Sequence, residues 1–137
     1  MTSKNAVSTR TDDERAVLAV LEGIYSAWAK NDADSFATWY VEDATVVMPG
    51  TYHKNRDEVR TYMAAAFNGP LKGSRGIDEP RNIRFLGDDT VIVISEAGIL
   101  MAGETELPAE RLRRATWVFT RQNDNWLIAL YNNCPAN

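Results

Sequence analysis

From position 90 the chain reads Thr90-Val91-Ile92-Val93-Ile94-Ser95-Glu96-Ala97-Gly98-Ile99-Leu100-Met101. β-Branched side chains dominate the run, and they favour a pleated, half-buried strand. Side chains alternate along a strand. One face therefore carries Val91, Val93, Ser95, Ala97 and Ile99, and the other Ile92, Ile94, Glu96, Gly98 and Leu100. A sheet with one wet face alternates apolar and polar residues, whereas both faces here are largely apolar. One can pack on helices. The other needs a cover that this chain does not supply, and the economical cover is a second copy of the same sheet, hence a homodimer through the sheet face. This reading places Val91, Val93, Ala97 and Ile99, with Thr116 and Val118 of the next strand, on the convex dimer face. Glu96 then points inward.

Downstream, Arg111–Arg121 and Trp126–Asn133 are further strand-like runs. Gly87-Asp88-Asp89 and Gln122–Asn125 supply hairpin turns, and Ala102–Glu110 a longer loop. Upstream, Asn82–Leu86 leads into the quoted run, and the Gly- and Pro-rich stretch from Gly69 to Pro80 reads as a loop or irregular edge strand. Before it the period changes to that of a helix. Thr11-Asp12-Asp13-Glu14 is a capping box, and Val17, Leu21, Ile24 and Trp28 follow at helical spacing to Lys30. Asp32 caps a short second helix with Phe36, Trp39 and Tyr40. Ala44–Met48 is a short strand ended by Pro49-Gly50. Asn55-Arg56-Asp57-Glu58 caps a third helix with Val59, Tyr62, Met63 and Phe67 on one side. Three helices and an early strand followed by an antiparallel meander make an α+β fold, with helices on one face of a curved sheet.

The chain has 137 residues and a net charge of -4, enough for one core and one domain. The expected domain spans 12–137, with residues 1–11 a frayed polar tail. The acidic balance and scattered basic residues argue against nucleic acid, because phosphate binding needs clustered Lys and Arg. No apolar run approaches a membrane span, and no signal-peptide core opens the chain, so the expected location is cytoplasmic. Cys134 is the only cysteine, which excludes an intramolecular disulfide and a thiolate metal cluster.

Few residues offer chemistry. Glu96, read as inward, suits a general acid or base, with a structural pair to a residue such as Arg113 as the competing reading. His53, the only histidine, follows the Pro49-Gly50 turn near the expected pocket mouth. Alone it cannot build a His-based metal site, so no metal is expected. Asn132 and Asn133 end the last strand, and alternation sends one inward as a donor to a ligand carbonyl. Arg111, Arg113 and Arg114 form either a solvated strand end or a rim for an anion, such as a carboxylate or a carrier's phosphopantetheine. No Gly-rich dinucleotide fingerprint occurs, so no cofactor is expected.

Asp32-Ala33-Asp34-Ser35-Phe36 with Glu42-Asp43-Ala44-Thr45-Val46, in the pattern Trp-x3-Asp-x3-Phe-x6-Asp-Ala from Trp28, resembles the nuclear-transport-factor-2-like superfamily. Pro49-Gly50, Trp117-x-Phe119 and Trp126-x-Ile128 fit the same order. The ending Leu130-Tyr131-Asn132-Asn133-Cys134-Pro135 is similar to the SgcJ/EcaC branch, near the SnoaL-like polyketide cyclases. The resemblance implies a cone-shaped, cystatin-like fold with a pocket between sheet and helices, and dimerisation through the sheets. It implies a pocket lining of Trp28, Met48, Met63 (or Tyr62) and Trp117 beside Glu96; helix spacing adds Ile24 on the face of Trp28, and Tyr25 is a further substrate-binding candidate. Ketosteroid isomerase needs polar groups at the places that Ile24, Met48 and Ala115 hold in this sequence, so steroid isomerase chemistry is not expected. Two functions fit. One is a cofactor-independent cyclase or isomerase acting on an apolar, enediyne-type polyketide intermediate, with Glu96 and His53 catalytic. The other is a non-catalytic binding or accessory protein that partners a polyketide synthase or carrier.

Overall fold

The computed structural model describes residues 2–137, with side chains described from Arg10 onward. The elements run α1 (Thr2–Ala29), α2 (Ala33–Ala37), β1 (Tyr40–Met48), β2 (Thr51–His53), α3 (Arg56–Phe67), β3 (Arg75–Phe85), β4 (Thr90–Leu100), β5 (Arg113–Gln122) and β6 (Asn125–Pro135). Val17, Val20, Leu21, Ile24 and Ala27 recur at helical spacing along α1 and are buried, which is why that face seats on the sheet.

The helix does not start at Thr11, as the capping-box reading expects, but continues back to Thr2. Asp13 serves packing instead: its carboxylate accepts from Arg121 Nη1 at 2.9 Å and Trp126 Nε1 at 3.3 Å, tying α1 to β5 and β6. Of the expected tail, Met1 and the side chains through Thr9 lie outside the described residues. The Arg10 guanidinium stands 4.3 Å from the centre of the Phe85 ring. The other caps match expectation. Asp32 accepts from the Ser35 amide at 3.1 Å and Asn55 from the Glu58 amide at 2.9 Å. Glu58 Oε1 in turn accepts from the Lys54 amide at 2.7 Å.

The sheet has six strands in the order β2-β1-β6-β5-β4-β3. β1 runs parallel to β6 and the other pairs are antiparallel. The stretch read as a loop or irregular edge strand enters β3 at Arg75. β3 is an edge strand with a register shift between Pro80 and Asn82, where a proline without an N–H is tolerated.

Two cross-strand rows organise the inner face. His53, Val46, Tyr131, Trp117 and Val93 form one, and Pro135, Arg113, Ala97 and Asp78 form another. Residues directly paired across strands share a face. Val93 pairs with Trp117, so both turn toward the helices. Val91 and Val93 are fully buried and Ala97 nearly so, which corrects their expected placement on the convex face. Ile99 shares their parity and lines the interior cavity. The convex face carries Ile92, Ile94 and Glu96, paired with Val118, Thr116 and Arg114. Only Thr116 and Val118 of the expected convex set are there. The displaced residues moved together because a one-residue change of parity reverses every side chain.

Candidate functional site

Helices and sheet enclose a cavity of about 440 Å³, within the size range of small-molecule sites. Trp28 and Tyr25 reach it from α1, Met48 from β1, His53 from β2, Met63 and Tyr62 from α3, Trp117 from β5, and Tyr131 and Asn133 from β6. Glu110, Arg111 and Arg113 contribute the charged part of the wall.

Aromatic rings brace one another around this space. Trp117 lies 4.3 Å from Tyr131 between ring centres and meets Tyr25 edge-on at 6.2 Å. Trp28 donates from Nε1 to Ser74 Oγ at 3.0 Å, and Ser74 Oγ donates to the Leu71 carbonyl at 2.7 Å. Asn31, in the left-handed region at φ 52, accepts from the Gly73 amide and donates to the Ser74 carbonyl. These bonds fix the segment between α3 and β3 to the end of α1 and hold the Trp28 ring.

Asp78 is the hidden centre of the wall. Its Oδ2 accepts from Tyr25 Oη at 3.1 Å and from Trp117 Nε1 at 3.0 Å. Burial raises its pKa, while the bonds from Trp117 and Tyr25 and the neighbouring Ser95 hydroxyl pull it back in part. Asp78 Oδ1 and Ser95 Oγ are both buried with no hydrogen bond of good geometry. Gly76 makes this arrangement possible, because a methyl at that position would run into the Tyr25 ring. Burial first, then Tyr131 and Asp78, hold the Tyr25 phenol well above its ordinary value.

Tyr131 brings a phenol to the cavity wall. Its hydroxyl accepts from Asn133 Nδ2 at 2.8 Å, and its own proton meets no acceptor among the described residues. Burial pushes its pKa up to about 12, so at neutral pH it is a proton donor. His53 faces it across the row. Both residues pair with Val46, which separates their Cα atoms by two strand spacings, roughly 10 Å. His53 Nε2 is buried without a partner, and its ring packs 4.8 Å from that of Tyr62.

The expected lining residues Tyr25, Trp28, Met48, Met63, Trp117 and Asn133 border the cavity, as does His53. Glu96 does not. It stands on the convex face, 2.6 Å from Arg81 and 4.0 Å from Arg114. Its expected acid–base role in the pocket is corrected on this ground, and so is its pairing with Arg113, which faces the other way. Asn132 also turns outward and donates to the Val47 carbonyl at 3.1 Å. Asn133 is thus the inward member of the pair. Ile24 is buried in the core beneath the cavity and does not border it. Asp78 and Tyr131 escaped the sequence reading. Asp78 lies in the stretch whose composition reads as a loop or edge strand, and Tyr131 carries no local signal that marks it above the asparagines beside it. Among the described residues no group of His, Cys, Asp or Glu could hold a metal ion, and no helix is long and apolar enough to cross a membrane.

Residues 17–133 match the SnoaL-like domain model. The chain belongs to the SnoaL-like family. Solved structures agree on the cystatin-like, nuclear-transport-factor-2-like fold of this SnoaL-like chain. A Nostoc punctiforme domain of unknown function with a cystatin-like fold is 26% identical, with a TM-score of 0.84 over 93% of this chain and 79% of that one. A Novosphingobium aromaticivorans protein described as nuclear-transport-factor-2-like is 16% identical, with a TM-score of 0.87 over 100% of this chain and 90% of that one. A second protein from Novosphingobium aromaticivorans, provisionally named a scytalone dehydratase, is 15% identical, with a TM-score of 0.78 over 96% and 89%. Among curated proteins none matches the chain.

Proposed function

We propose that this SnoaL-like protein binds an apolar, flat small molecule of secondary metabolism, a polyketide intermediate of the enediyne type, and isomerises or cyclises it by acid–base chemistry. The observation that carries this reading is the pair of uncommitted polar groups, His53 Nε2 and the Tyr131 hydroxyl proton, at the aromatic and methionine-rich part of the cavity. Stacking walls and adaptable methionines suit an extended unsaturated body. The neutral Tyr131 donates to a ligand carbonyl and stabilises the enolate oxygen that forms when His53 takes a proton from the adjacent carbon. His53 returns that proton to a different carbon, which completes an isomerisation without a cofactor. The provisional dehydratase name of a structural neighbour is compatible with proton-transfer chemistry in such a cavity. A homodimer through the convex sheet face and a cytoplasmic location belong to the same proposal.

A second reading is favoured by Asp78. Its carboxylate is committed to holding Tyr25 and Trp117 in place, which suits a rigid binding wall as well as catalysis. The protein then holds an intermediate for a polyketide synthase or its carrier and transforms nothing. Native mass spectrometry of the protein purified from producing cells identifies the retained ligand, which is then the assay substrate. His53→Gln and Tyr131→Phe keep affinity and abolish turnover under the catalytic reading. Both are silent under the binding reading, whereas Trp117→Ala weakens binding roughly tenfold or more under either.

A further inference from the structure

We infer that Arg113 is the carboxylate anchor of the cavity, so that its ligand is an organic acid: a flat apolar body bearing a single carboxylate. The inference rests on the reading of the cavity as a ligand site and goes beyond it to the ligand's charge. Strand parity separates the cationic run of β5 between two faces. Arg114 pairs in register with Glu96 and turns to the convex side, whereas Arg113 pairs with Ala97 and turns inward. Arg111, at the cavity rim, is occupied by Glu104 at 2.6 Å. Arg113 forms no ion pair among the described residues. Its Nη1 is buried with no hydrogen-bond partner, and the residue lines the cavity.

A buried guanidinium nitrogen without an acceptor is costly. A ligand carboxylate removes that cost, because the planar fork of arginine matches a carboxylate with two parallel bonds. Two observations favour a carboxylate over a phosphate ester. Arg113 is the one uncommitted arginine lining the cavity among the described residues, which balances a monoanion and not a dianion. Glu110 also lines the wall, and it repels a second negative charge. Trp117 and Tyr131 lie on the same inner face, two same-face positions along the strands from Arg113 and Pro135, so a ligand body extending from Arg113 along β5 meets an aromatic surface. A nonpolar ligand alone leaves Arg113 as unmatched as it is in the free cavity.

The test measures binding of 2-naphthoate, 2-naphthamide and 2-naphthyl phosphate by isothermal titration calorimetry, on the full chain and on Arg113→Gln and Arg113→Lys. The unsubstituted protein should favour naphthoate over the neutral amide by about tenfold or more, the worth of one charge-assisted bond. Naphthyl phosphate should bind no tighter than naphthoate. Arg113→Gln should erase the carboxylate preference with amide affinity unchanged, and Arg113→Lys should restore part of it. Equal affinity for acid and amide in the unsubstituted protein overturns the anchor while leaving the cavity a ligand site. So does a preference for the phosphate, or a carboxylate preference that survives Arg113→Gln. If no probe binds at millimolar concentration, the ligand-site reading itself falls and the anchor with it. Should Arg113→Gln fail to fold by circular dichroism, the acid-to-amide ratio of the unsubstituted protein decides alone.

Discussion

Asp78 shows how one buried side chain sets the shape of a cavity it does not itself border. Its carboxylate holds Tyr25 and Trp117 at 3.1 and 3.0 Å, and one of its oxygens is left unmatched beside Ser95. In Asp78→Asn the amide oxygen keeps both donors and the amide N–H₂ can reach Ser95 Oγ. This variant should be more stable than the parent at neutral pH, by about 1 kcal/mol, the cost of an unmatched buried polar atom. The pH dependence follows from the raised pKa. The native state holds the Asp78 proton more tightly than the unfolded chain. The resulting stabilisation is complete below the ordinary aspartate value and is lost as pH rises through the raised native one. Melting temperatures of parent and Asp78→Asn, followed from about pH 3 to pH 8, should therefore diverge as pH rises across that window. Parallel curves would show that the carboxyl is not shielded. Asp78→Ala strands two donors and should cost about 1–3 kcal/mol in urea unfolding. Gly76→Ala should act on the same wall, because its methyl displaces the Tyr25 ring. We expect about 1–3 kcal/mol of destabilisation together with weaker ligand binding, both readable by thermal shift with and without ligand.

At the scale of elements, β4 carries two apolar faces with different tasks. Val91 and Val93 are sealed under the helices. Ile92 and Ile94 lie on the convex side with Val118, and Val47, which is 40% exposed, lies on the same face further across the sheet. Val93→Arg forces an unpaired charge into the core and should give unfolded or insoluble protein. Ile94→Arg, its neighbour in sequence, places the charge on the open face. Circular dichroism should show a native fold for Ile94→Arg, and under the dimer proposal sedimentation velocity should show a dimer for the parent and a monomer for the variant. A parent that sediments as a monomer at micromolar concentration removes the dimer proposal and leaves the fold untouched. The Glu96 cluster with Arg81 and Arg114 sits on this convex face. Exposed pairs of this kind contribute little to stability.

For the molecule as a whole, the open cavity represents apolar contact given up in the interior. Filling it should stabilise the protein and end binding. Ala97→Leu adds bulk on the inner face between Asp78 and Arg113. If the space is a ligand site, this variant should hold or raise the melting temperature and lose the thermal shift that ligand produces. In the parent that shift corresponds to about 2.7 kcal/mol at a ligand concentration of one hundred times Kd. A variant that melts earlier and still binds would place the ligand elsewhere.

Helix spacing, the Asp32 and Asn55 caps, the Pro49-Gly50 turn and the late strands were legible from residues alone, because each is a local pattern with a local cause. Much of the cavity lining, through Trp28, Met48, Met63 and Trp117, was legible only through the family resemblance, since the order of motifs carries the fold. What no local pattern could settle was which face of β4 is inside. Both faces are apolar, and parity defines two sets without naming the buried one. That choice is made by pairing with β5, where Trp117 lies opposite Val93 and must share its side. The same pairing sends Glu96 outward and turns Arg113 inward, so the two charges face opposite sides of the sheet. Asp78 joins the site only because β3 pairs with β4 along its length and α1 lays Tyr25 over Gly76. Sequence alone determined that there would be a curved sheet covered by helices around an aromatic interior. The tertiary structure decided which charges face that interior, because a side chain's direction depends on register between strands far apart in the chain.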